Sequence, residues 1–182
     1  MSEITAVWPL PVRLAHWLNA ALAIVALAMG ALMVLAVQNA ATRFDLTQTH
    51  KSIGVSVLVL TLLRLGMRCF FRAPKLEPTA RSVVIVGRAV HVGLYVLLLL
   101  LPFSGWLMVT STPLRVPTIV FGLFELPYPF APDIERFRLA HAAHFALAIA
   151  LSTLIVLHGA AAFVHAWVWR DRALIRMWLR AS

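Results

Sequence analysis

Four runs of about 20 or more mostly apolar residues recur along the chain, and each is long enough to cross the hydrocarbon core of a bilayer as a helix. They extend from about Leu14 to Val37, Thr49 to Phe71, Val90 to Thr110 and Arg138 to Trp169. Hydrocarbon offers backbone N–H and C=O groups no water, so such runs resolve as helices. The expectation is an all-α membrane protein, one four-transmembrane-helix bundle over residues 1–182. Composition agrees, because 62% of the 182 residues are hydrophobic and only 13% are charged, against about 45–50% and about 25% in soluble globules. The first run is longer than the apolar part of a signal peptide, about 7–15 residues, and three more follow it, so it reads as a retained anchor. Pro9 and Pro11 stand just ahead of it, and Pro102 is expected to kink the third helix.

A net charge of +9 would suit nucleic acid, but basic residues flanking apolar runs orient a membrane protein, and no nucleic-acid partner is expected. Eleven of the 16 Lys and Arg fall at the N-terminus, the second connection and the C-terminus; the other five are Arg43, Lys51, Arg115, Arg136 and Arg138. The positive-inside rule then places both termini in the cytoplasm. Ala73 to Ala80, with Pro74, Glu77 and Pro78, reads as an inner loop. Ser111 to Pro132 reads as the outer connection, where Pro113, Pro117, Pro127, Pro129 and Pro132 forbid a long helix.

Chemistry then rests on histidine. The single cysteine, Cys69, excludes an intrachain disulfide, an iron–sulfur cluster and a thiolate zinc site. All seven histidines, at 16, 50, 91, 141, 144, 158 and 165, fall in or beside the apolar runs, where an ionisable group is costly and marks function by default. His144 and His158, 14 residues apart, lie about 40° apart around a helix and about 21 Å apart along it. They share a face at two depths. His50 opens the second span at the level of His144, and His16 starts the first at the level of His158 or His165. Zinc wants more ligands than two facing imidazoles supply. Haem iron takes two axial ligands from opposite sides, a bundle core can hold its macrocycle, and filled axial positions favour electron transfer over oxygen activation.

Four motifs also carry a resemblance: RLAHW around His16, THKSIGVSVLVLTLLRLGMR from Thr49, VHVGLYVLLLLLPFSGW from Val90 and HFALAIALSTLIVLHGAAAFVH from His144. In this order and spacing the chain resembles the bacterial cytochrome b561 family, four-helix dihaem proteins of the inner membrane. That family is related to the cytochrome b subunits of hydrogenases and formate dehydrogenases. The resemblance implies two b haems in the bundle core, an inner one held by His16 and His158 and an outer one held by His50 and His144. It selects His158 over His165. It further implies electron exchange with ubiquinone or another quinone, and oxidation of superoxide at the periplasmic face.

Lys51, with Arg115, Arg136 and Arg138, would steer that anion, although Asp45, Glu125, Asp133 and Glu135 nearly balance them. Arg64, a cation inside the second span, is the candidate partner for a haem propionate; Arg13, Lys51, Arg68 and Arg88 are weaker ones. His91 and His165 are candidates to support a propionate. His141 reads as a quinone-site or proton-relay candidate, or as an interfacial residue. Gly54 and Gly105 are places where a ring could approach the backbone. Two other readings stand: a cytochrome b anchor subunit receiving electrons from a respiratory dehydrogenase or hydrogenase, and a non-redox transporter or scaffold whose histidines carry protons or a divalent ion.

Overall fold

A computed structural model describes residues 7–73, 80–171 and 173–179. Four helices dominate it: α1 (Leu10–Leu35), α2 (Ala40–Phe70), α3 (Arg81–Ser111) and α4 (Ile134–Trp167). All four are long and apolar enough to cross a membrane. At 26 to 34 residues they measure about 39–51 Å, well beyond a hydrocarbon core of about 30 Å. The chain is an all-α four-helix membrane bundle.

The helices overrun the apolar runs, most of all where α2 starts at Ala40 rather than Thr49 and α3 at Arg81 rather than Val90. Hydropathy sees only the part in hydrocarbon, whereas a helix starts where its first amides are satisfied. At α2 the cap is Asn39, whose side chain accepts from the Thr42 amide at 3.1 Å. At α4 it is Asp133, which accepts from the Glu135 and Arg136 amides at 2.9 and 3.0 Å. The Arg136 amide outweighs the cost of desolvation and, with the Glu135 amide, holds the Asp133 carboxyl below its usual range. α3 runs unbroken through Pro102. Pro74, Lys75, Glu77, Pro78, Arg172 and Arg180 lie outside the described residues.

Between α3 and α4 the proline-rich segment forms a small antiparallel hairpin, β1 (Ile119–Val120) and β2 (Phe124–Glu125). Its turn passes through Phe121 and Gly122 at φ of 47° and 75°, a region that glycine enters without steric cost. The hairpin sits on α2. The Phe121 amide donates to Ser52 Oγ at 3.1 Å, and Gln48 Nε2 donates to the Pro117 carbonyl at 2.8 Å. The Tyr128 hydroxyl donates to the Val116 carbonyl and closes the loop on itself.

The interior is small and partly polar, as in a bundle that lipid surrounds. Ala23, Ile53, Val57, Leu98 and Leu151 form the buried apolar cluster. Beside it Asn19 Nδ2 donates to Thr61 Oγ1 at 3.0 Å, with both residues buried. Large side chains such as Leu62, Val92, Val156 and Leu157 point outward. Packing pairs α1 with α2 and α3 with α4, with α2 touching α3 less extensively; α1 and α4 make at most isolated close backbone approaches. The first and last described segments share one end, where the Trp8 amide donates to the Arg176 carbonyl at 3.1 Å. There Arg13 Nη1 and Trp17 Nε1 donate to the carbonyls of Trp178 and Met177, each at 2.7 Å. The hairpin covers the other end.

Candidate functional site

Four histidines meet as two pairs across the gap between the helical pairs. Toward the hairpin end, His50 of α2 faces His144 of α4, with ring centres 6.3 Å apart and planes at 78°. Toward the terminal end, His16 of α1 faces His158 of α4 at 6.4 Å and 74°. No hydrogen bond joins the rings of either pair. Fourteen residues of α4 separate the two levels by about 21 Å of helix.

Surroundings differ between the levels. His144 Nδ1 lies 3.1 Å from the Leu101 carbonyl and 3.0 Å from Ser104 Oγ. An N–H at Nδ1 donates to that carbonyl and leaves the Nε2 lone pair free. Gly105 makes this fit possible, since a Cβ there would stand 3.0 Å from His144 Cε1. His50 Nδ1 is buried without a partner of ordinary hydrogen-bond geometry, the Ala26 carbonyl standing near the ring. A Cβ on Gly30 would make ordinary contact with His50 at 3.6 Å, and one on Gly54 would meet nothing within 4 Å.

At the other level the neighbours are cationic. Arg64 Nη2 donates to His16 Nδ1 at 3.0 Å, and its guanidinium lies 5.3 Å from the centre of the Tyr95 ring. Arg68 stands over the same ring at 5.4 Å. The His91 ring is 5.3 Å from that of His158, closer than His16. Trp17 packs edge-on to His16 at 5.3 Å and to Trp178 at 6.3 Å, so the C-terminal segment reaches the site through one indole.

The remaining candidates are placed as follows. His165 Nδ1 meets Asp171 Oδ2 at 2.5 Å rather than either pair. Burial works against the Asp171 carboxylate, but hydrogen bonds from His165 and the Ala173 amide, with the His165 and Arg176 charges, outweigh it and hold the carboxyl below its usual range. His141 is exposed and stacks loosely on Phe137 at 6.0 Å. Arg13 belongs to the terminal contacts. Of the steering cations, Arg138 is paired with Glu135 at 2.7 Å and Arg136 donates to Ser111 Oγ at 2.9 Å. Ser104, Tyr95 and Gly30 were not singled out from sequence. The i+3 and i+4 neighbours of Leu101 on a proline-bearing helix were the signal for Ser104 and Gly105 together.

This fold and its paired imidazoles define a class, the four-helix membrane cytochromes, and sequence comparison gives the family. The family model for prokaryotic cytochrome b561 matches residues 7–180, and the chain belongs to that family. It is 32% identical to cytochrome b561 homolog 2 of Escherichia coli (strain K12) over 168 residues, 92% of this chain and 88% of that protein. It is also 32% identical to the probable superoxide oxidase CybB of Yersinia pestis over 131 residues, 70% of this chain and 72% of that one. Membership makes this a multi-pass inner-membrane protein of transmembrane electron transfer and implies that it binds haem b.

The residues present fit such a group. Two imidazoles on opposite sides of one metal, with bonds of about 2 Å and about 1.1 Å more to each ring centre, stand about 6.3 Å apart. Both pairs match that separation. Among the described residues no three of His, Cys, Asp and Glu gather as a metal-holding group. An unpartnered buried ring nitrogen on His50 and a glycine cradle under His144 suit a ligand between the rings.

Proposed function

We propose that this chain carries electrons across the membrane through two b haems, one held by His16 and His158 and the other by His50 and His144, and exchanges electrons with the quinone pool. The observation that carries the reading is the pair of imidazole couples at one separation, 6.3 and 6.4 Å, on two levels of the same helix. A haem held by each pair of histidines would supply a one-electron couple. The chain's own residues supply the rest. Leu101 and Ser104 orient His144, and Arg64, which donates to His16 Nδ1, would pair with a propionate. Both termini lie in the cytoplasm by charge bias, which puts His16 and His158 at the inner level.

The test is a reduced-minus-oxidised absorption spectrum of purified protein with haem counted per polypeptide. Two b haems are expected in the wild type, and one in each of His144→Ala and His158→Ala. A wild type without haem after haem-replete expression overturns the reading. Superoxide is the proposed outer donor, in keeping with the name of the Yersinia pestis relative. Arg138 is paired to Glu135, and Lys51 stands beside His50 as a steering cation. Lys51→Glu should slow superoxide oxidation several-fold at low salt and less at high salt; an unchanged rate removes that role.

A further inference from the structure

A groove of about 640 Å³ opens between α2 and α3, near the end of the bundle that carries both termini. Six residues of α3 line it: Arg88, His91, Val92, Tyr95, Val96 and Leu99. Their spacing of three and four residues is one stripe of a helix, about 16 Å long from first to last. Across from it stand Leu65, Arg68 and Cys69 of α2. The stripe is graded along its length. Arg68 and Arg88 mark the terminal end, and Val92, Val96 and Leu99 continue toward the middle of the bilayer. Arg68, Arg88, Val92 and Val96 are all exposed, so the groove opens sideways to lipid. No acidic residue lines it. α2 and α3 pack less extensively here than the partners within each helical pair, which leaves the cleft.

We propose that this groove binds one anionic phospholipid, its phosphate held by Arg68 and Arg88 and an acyl chain lying along Val92, Val96 and Leu99. Two guanidiniums at the interface call for an anion, and phosphate takes charge-assisted hydrogen bonds from both. A neutral quinone headgroup offers neither guanidinium an anion. The polarity gradient runs as a phospholipid runs, charged at the interface and apolar below it.

Native mass spectrometry of the full-length, haem-characterised protein in detergent tests this, with dioleoyl phosphatidylglycerol or dioleoyl phosphatidylcholine added. One phosphatidylglycerol should be retained in preference to phosphatidylcholine. Arg68→Gln and Arg88→Gln should each weaken retention about fivefold, as one basic residue near a membrane surface does. Val96→Trp, which fills the apolar end and leaves the charges in place, should also weaken it, with haem per polypeptide unchanged. Equal retention of the two lipids, or variants that hold phosphatidylglycerol as the wild type does, overturns the proposal. So does displacement of the lipid by decylubiquinone, which makes the groove a quinone site, or loss of haem in Arg88→Gln, which assigns that cation to the cofactor.

Discussion

The two histidine pairs share a separation but sit in opposite electrical surroundings. Around His144 the contacts are neutral: a backbone carbonyl, a serine hydroxyl and a glycine. They fix one tautomer and one ring orientation in advance. Around His16 and His158 stand Arg64, Arg68 and a third imidazole, His91. A guanidinium only donates, so at 3.0 Å from Arg64 the Nδ1 of His16 accepts, and in the neutral ring the proton sits on Nε2. For neutral His16 to bind a metal through Nε2, Arg64 must turn away, and a haem propionate gives it an anion to turn to. One level is thus organised by neutral hydrogen bonds, and the other has cations beside it that, under the proposed ligation, would meet an anionic guest.

The largest expected break in this comparison comes from Gly105→Leu. Replacing a helical glycine should favour α3 by up to about 1 kcal/mol, but the new Cβ stands 3.0 Å from the His144 ring and displaces it. The hairpin-end haem should be lost and the terminal-end haem kept, giving half the haem per polypeptide; two haems would show that the ring does not depend on this cradle. Gly30→Ala, whose Cβ makes ordinary contact at 3.6 Å, should keep both. Next is Arg64→Leu. Removing a cation from His16 should lower the midpoint potential of the terminal-end haem by tens of millivolts and leave the other unchanged in a spectroscopic redox titration. Equal shifts at both haems would deny the contrast.

The smallest effect concerns Asp171. Its carboxyl titrates below the ordinary value of about 3.9, so the His165 contact contributes fully above that value and fades as pH falls through the lowered one. Hydrogen exchange at the Ala173 amide, which Asp171 holds at 2.9 Å, should quicken about two- to fivefold in Asp171→Asn at neutral pH, the range of a partly exposed pair. In the wild type, corrected for intrinsic rates, it should quicken only below about pH 4. Identical exchange in both proteins would show that the contact does not hold the C-terminal segment.

Much of this was legible before any coordinates. Four helices follow from four apolar runs, because hydrocarbon leaves the backbone no alternative. The levels of His144 and His158 follow from their 14-residue spacing, since a helix fixes rise and rotation together. What faces them from other helices does not follow, because rotation about each helix axis is set by packing. That is why His91 stands nearer His158 than expected, and why Ser104 and Tyr95 went unnamed. His165, on the same stripe as His158, turns to Asp171, since the chain reverses just past α4 and returns a carboxylate six residues later. The hairpin escaped notice because two-residue strands in a proline-rich segment leave no periodicity to read.

The weak approach of α1 to α4 bears on biogenesis. Each of α1–α2 and α3–α4 is a helical hairpin able to enter the bilayer with its own backbone satisfied. What bridges α4 to the first hairpin at the two levels is a set of imidazoles facing each other across a space neither fills. Under the proposed ligation the two halves, already joined where α2 meets α3 and where the hairpin sits on α2, would be held further through the metal. Haem supply would then act on how much finished protein accumulates.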